Sequence, residues 1–147
     1  MAAQTIVMAS DHAGFELKEL LKGDLKAAGR DVLDLGVNST ASVDYPDYGL
    51  ALAQAIRDGR AGRGVLVCGT GIGIAIAANR EPSVRAAVVH DVTSARLTRQ
   101  HNDANVMALG ARLIGAEVAR DCLRVFLDTP FEGGRHAARV AKLARSA

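Results

Sequence analysis

Short β-rich apolar runs alternate with longer amphipathic segments along this chain, a pattern that restricts it to repeated βα units around a parallel sheet. Strands are predicted at residues 5–10 (TIVMAS), 31–35 (DVLDL), 64–68 (GVLVC), 85–89 (RAAVV) and 105–109 (NVMAL). Between them the apolar spacing predicts helices over about 14–28, 47–58, 72–79 and 93–100, with another over 116–127 after the fifth strand. In the first of these, Phe15, Leu17, Leu20, Leu21 and Leu25 form one face, while Glu16, Lys18, Glu19 and Lys22 fill the other. Gly29 then supplies a C-terminal stop. A last helix is predicted from Arg135 to about Arg145, after Gly133-Gly134. It has no following strand to pack under, and an appended helix of that kind often reaches a partner subunit. The expected class is therefore α/β, three layers with a five-stranded parallel sheet and an extra C-terminal helix. Its 147 residues fit one domain spanning 1–147, with no internal repeat or linker-like shift in composition.

Composition narrows the function. Aromatic residues make up 3% of the chain and Trp is absent, so the core must be built from Ala, Val, Leu and Ile. Lys plus Arg number 18 against 16 for Asp plus Glu, without a basic block to track a nucleic-acid backbone. No nucleic-acid partner is expected, and any bound anion should be small. Cys68 and Cys122 lie far apart with no ligand-type spacing, which indicates neither a zinc site nor a disulfide framework. A reducing cytoplasm fits best. The start, MAAQTIVMASDH, lacks a signal-peptide pattern, and no apolar stretch nears bilayer-spanning length, so a soluble, unexported protein with no membrane partner is expected.

In open parallel sheets, ligands bind outside the carboxyl ends of the strands. There the sequence sets Ser10-Asp11-His12, residues 36–46, Gly69-Thr70-Gly71-Ile72-Gly73 and His90-Asp91. The glycine-rich turn lets backbone N–H groups approach an anionic oxygen, yet it matches neither the dinucleotide fingerprint nor the phosphate loop of NTPases. Cys68 sits just before it. Read alone, Cys68 is either an inert buried thiol or, at a helix start, a base whose thiolate is accessible near neutral pH. Cys122, inside ARDCLRVFL, reads as packing. Asp11 and His12 taken alone read as an N-cap carboxylate and a turn histidine. His101 and Asn102, in RQHNDANV, read alone as surface loop residues. Arg135 and Arg139 stand four apart on one helix face, either solvated or paired to grip a phosphate.

Taken together, SDHAGFELK, VDYPDY, VCGTGIGIAIAANR, SARLTRQHNDANVMALGARLIG and FEGGRHAARV resemble the ordered signature of the ribose-5-phosphate isomerase B and galactose-6-phosphate isomerase family. The resemblance runs over roughly residues 5–140. It implies a Rossmann-like domain, a homodimer with the active site at the subunit interface, and in some members a dimer of dimers. It also implies isomerisation of an aldose phosphate to a ketose phosphate through a cis-enediolate, with no metal and no cofactor. Ribose 5-phosphate is the leading substrate; galactose 6-phosphate, allose 6-phosphate and a tetrose phosphate are alternatives. A nucleotide-binding or sugar-phosphate-sensing module is the rival outside the enzyme class.

Residue by residue, the resemblance makes Cys68 the catalytic base, and Thr70 with Gly69, Gly71 and Gly73 the loop that stabilises the enediolate oxygens. It makes His101 the group that opens the furanose ring. Asp11, Tyr45 and Asn102 fall on sugar-contacting positions, and His12, Arg112, Arg135 and Arg139 on phosphate-binding ones. A second subtype of the family replaces the cysteine by a glutamate in the glycine-rich loop. Here that loop position is Ile74, which places the chain with the cysteine users.

Overall fold

A computed structural model describes residues 4–144. Five strands, β1 (Ile6–Ser10), β2 (Val32–Asp34), β3 (Arg63–Cys68), β4 (Ala86–Val88) and β5 (Val106–Gly110), form one sheet. All its pairings are parallel, and its order is β2-β1-β3-β5-β4. The helices are α1 (Phe15–Ala27), α2 (Tyr45–Arg57), α3 (Ile72–Ala78), α4 (Val92–Asn102), α5 (Ala116–Asp128) and α6 (Arg135–Leu143). The five-stranded parallel sheet and the extra last helix agree with the sequence reading; Arg145, its expected end, lies outside the described residues.

The three central strands are apolar on both faces, as a parallel sheet covered on both sides requires. Ile6, Met8, Val65, Val67, Met107 and Leu109 pack with Leu21 of α1, Ala95 of α4 and Phe126 of α5. The alternate residues Val7, Ala9, Leu66, Cys68, Val106 and Ala108 pack with Leu52 of α2 and Ile74 of α3. Helices α1, α4 and α5 thus cover one face, and α2 and α3 the other. The period-two alternation puts Cys68 on the α2–α3 side.

Two local differences from the sequence reading carry consequences. First, α4 continues through His101 and Asn102, so both residues belong to its last turn and not to a loop. Asp103 ends the helix in a left-handed conformation, φ 46°. Second, Lys18 is fully buried instead of filling a solvated face. Its Nζ donates to both carboxylate oxygens of Asp34 at 2.9 and 2.8 Å and to Glu19 at 2.9 Å. Lys22 joins the network, and Asp34 also accepts the Gly36 N–H at 2.9 Å, which ties α1 to the end of β2. Burial tends to raise the Asp34 pKa, but the two lysines and the Gly36 N–H outweigh it and leave the carboxyl below its ordinary value.

Candidate active site

The strand order reverses between β1 and β3, and in such sheets the crevice at the reversal is where ligands enter. Asp11 follows β1 and Cys68 ends β3, so the topology brings them to that crevice; the Asp11 N–H donates to the Val67 carbonyl at 3.3 Å. Asp11 Oδ1 accepts the Gly14 N–H at 3.0 Å, closing the turn into α1 and leaving Oδ2 for another partner. The N-cap of α1 is Gly14, without a side-chain cap, so Asp11 is not the N-cap read for it alone; it fixes the turn ahead of the helix, and with one oxygen only.

Cys68 is 4% exposed, and its Sγ accepts the Gly71 N–H at 3.1 Å. Gly71 holds φ +78°, a left-handed conformation that favours glycine, in the tight turn that follows the strand end. Thr70 Oγ1 accepts the Ile72 N–H at 3.2 Å, which leaves the hydroxyl proton free to donate elsewhere. Cys122, by contrast, is fully buried, and burial first, then Asp91 and Asp121, push its thiol up to about 11. The structure agrees with the reading of Cys122 as packing.

Arg112 and Tyr45 close around the glycine-rich turn, and His12 anchors the loop at Val43. A Cβ built on Gly69 would stand 3.1 Å from Arg112 Nη1, so the guanidinium lies against that glycine. A Cβ on Gly73 would stand 2.5 Å from Tyr45 Cε1, so the tyrosine ring rests on the first turn of α3. His12 Nδ1 accepts the Val43 N–H at 3.1 Å. In its neutral form His12 therefore carries its proton on Nε2, where it can donate to an anion.

His101, Asn102, Arg135 and Arg139 are elsewhere. α4 runs antiparallel to the strands it joins, so its last turn ends beside the amino edge of the sheet. The separation from Cys68 is at least the length of a strand, roughly 16 Å for five residues. There His101, Asn102, His136 and Arg139 line a groove of about 320 Å³, with Arg135 exposed at the start of α6. Within one chain the expected site residues thus form two groups at opposite ends of the sheet. The rim rule located the first group, while the second falls outside its reach.

His101, Glu132 and His136 are the one cluster of metal-ligand type among the described residues. The two imidazoles stack, 4.5 Å apart with planes 14° from parallel. Glu132 and His136 were not singled out in the sequence. Their i, i+4 spacing in EGGRH was the available signal.

The fold is thus an open parallel α/β sheet with a thiol at the end of a central strand, followed by a glycine-rich turn into a helix. The profile of the ribose/galactose isomerase family matches residues 6–143, and the chain belongs to that family. It is 44% identical over 135 residues to ribose-5-phosphate isomerase B of Escherichia coli, covering 92% of this chain and 91% of that protein. It is 43% identical over 140 residues to the D-erythrulose-4-phosphate isomerase of Pectobacterium atrosepticum, covering 95% and 92%. The solved structure of Mycoplasma genitalium ribose-5-phosphate isomerase B with bound ribulose-5-phosphate superposes with a TM-score of 0.93 at 38% identity, covering 99% of this chain and 97% of that one.

Proposed function

We infer that this isomerase interconverts ribose 5-phosphate and ribulose 5-phosphate, with Cys68 as the base. The observation that carries the reading is the Gly71 N–H aimed at Cys68 Sγ inside the glycine-rich loop. The Cys68 thiolate takes the C2 proton of the open-chain aldose and returns it at C1. The oxyanion that develops meets the backbone amides of Gly69–Gly73 and the Thr70 hydroxyl, which are in place before charge appears. Asp11 and Tyr45 hold sugar hydroxyls on the same rim. His12 and Arg112 grip the phosphate, so that remote binding energy orients C1 and C2.

The remaining groups, His101, Asn102, Arg135 and Arg139, come from a second copy of the chain. The strand-length separation between the two groups supports this, because no rotamer change spans it. Ile72 and Ile76, one turn apart on α3 beside the Cys68 loop, are 51% and 63% exposed and give a second chain an apolar face to cover. The assembly is a homodimer with two shared sites. Both described cysteines are free thiols, which suits a reducing cytoplasm, and no described helix is long and apolar enough to cross a membrane.

The test is a panel of pentose, hexose and tetrose phosphates compared by kcat/KM. Ribose 5-phosphate should lead the panel. A higher value for a tetrose or hexose phosphate would reassign the substrate, and turnover of none of them would overturn the isomerase reading.

A further inference from the structure

Glu132 and His136 meet His101 at the end of α4 in an arrangement that reaches beyond packing. The Glu132 N–H donates to the Gln100 carbonyl at 3.1 Å, which tethers Glu132 beside the last turn of α4, and the His136 N–H donates to the Gly133 carbonyl at 3.1 Å within its own turn. The His136 ring lies flat on the His101 ring. His136 is 7% exposed, and its Nε2 is sealed from solvent without a hydrogen-bond partner. Nε2 of His101 and Nε2 of His136 face the same oxygen, Glu132 Oε1, at 3.9 and 3.6 Å. The Glu132 side chain is 49% exposed, so a small rotation closes either distance to a hydrogen bond. His101 keeps 39% of its side chain open to the groove it shares with Arg139.

The charges around the pair are unequal. Burial, then Arg135 and His101, hold His136 below the ordinary histidine range, with Arg139 acting in the same direction and Glu132 opposing. These influences disfavour charge on His136, so Glu132 Oε1 is left to accept from His101 Nε2.

Resting on the reading of His101 as the ring opener, we propose that His136 and Glu132 are its positioning residues: His136 fixes the imidazole plane, and Glu132 holds a proton on Nε2. Nδ1 is then the nitrogen that exchanges protons with the sugar. In the ring-opening step the C1–O4 bond of the furanose breaks, its electron pair goes to O4, and O4 takes the proton of His101 Nδ1. The O1 hydroxyl proton passes to the vacated Nδ1 as the C1–O1 double bond forms. One proton is given and one is taken, so His101 ends as it began and no co-reactant is required.

Two rates in deuterium oxide separate this role from others. Consumption of ribose 5-phosphate needs the ring opened, whereas deuterium wash-in at C1 of ribulose 5-phosphate, an acyclic ketose, needs only the enediolate chemistry. Glu132→Ala, at a half-exposed position, and His136→Ala, which removes the ring from the stack, should each slow the first rate by about tenfold or more, whereas His136→Phe, which keeps a flat ring there, should retain most of it. The second rate should stay within about twofold of wild type, and Glu132→Asp should restore part of the first. Parallel loss of both rates, or no loss of either, would overturn the positioning role. Absence of wash-in with the wild-type protein would instead overturn the isomerase reading on which it rests.

Discussion

Cys68 and His101 stand at opposite ends of the same parallel sheet, Cys68 closing β3 at its carboxyl edge and His101 in the helical turn that leads into β5 at its amino edge. A reaction that uses both needs two chains. Inactive Cys68→Ala and Arg139→Ala homodimers, co-refolded in equal amounts, should therefore regain activity through mixed dimers. Random assortment makes half the dimers mixed, each with one intact site, so about a quarter of wild-type activity should return. A stable mixed dimer without activity would place Cys68 and Arg139 in the same chain's site.

The two thiols differ in surroundings, which sets their reactivity. Cys122 is fully buried, with a pKa of about 11, and stays protonated at pH 8. Iodoacetamide at that pH should modify Cys68, abolish turnover, and be slowed by substrate. Peptide mass mapping checks it, and inactivation that follows modification of Cys122 would count against Cys68 as the base.

Gly71 and Gly73 should respond differently to alanine. At Gly71 the added Cβ meets both φ +78° and the Leu109 carbonyl carbon at 2.9 Å, so the loop must shift and the N–H leaves Cys68 Sγ. Gly71→Ala should lower kcat by about a hundredfold and cost about 1–2 kcal/mol of stability. At Gly73 the obstacle is the partly exposed Tyr45 ring, which can swing away. Gly73→Ala should keep near wild-type stability and raise KM more than it lowers kcat, as steady-state kinetics and thermal melts would show.

Asp34 carries the charge balance of the buried Lys18. Asp34→Asn leaves that ammonium with Glu19 as its one carboxylate partner and should cost about 2 kcal/mol, whereas Lys18→Met leaves Asp34 with Lys22 and should cost about 1 kcal/mol or less. Because the folded-state pKa of Asp34 is depressed, its contribution is complete above the ordinary carboxylate range and is lost as pH falls through the folded value. Urea titrations between pH 7 and pH 3 should show the gap between wild type and Asp34→Asn narrowing toward acid.

The alternation of strands and helices was readable from sequence because side-chain period is a local property, and the pairing of Cys68 with GTGIG was readable because strand, turn and helix start are contiguous. Tertiary structure decided everything that depends on chain direction and on contacts between distant segments. Only the direction of α4 places His101 at the edge away from Cys68. Lys18 is polar in any sequence window and becomes buried only because Asp34, sixteen residues on, closes over it. His136 meets His101 across thirty-five residues because α6 folds back against the end of α4. Local pattern fixes which residues share an element and which face they occupy; which elements meet, and at which end, follows from crossovers and packing that no window of sequence contains.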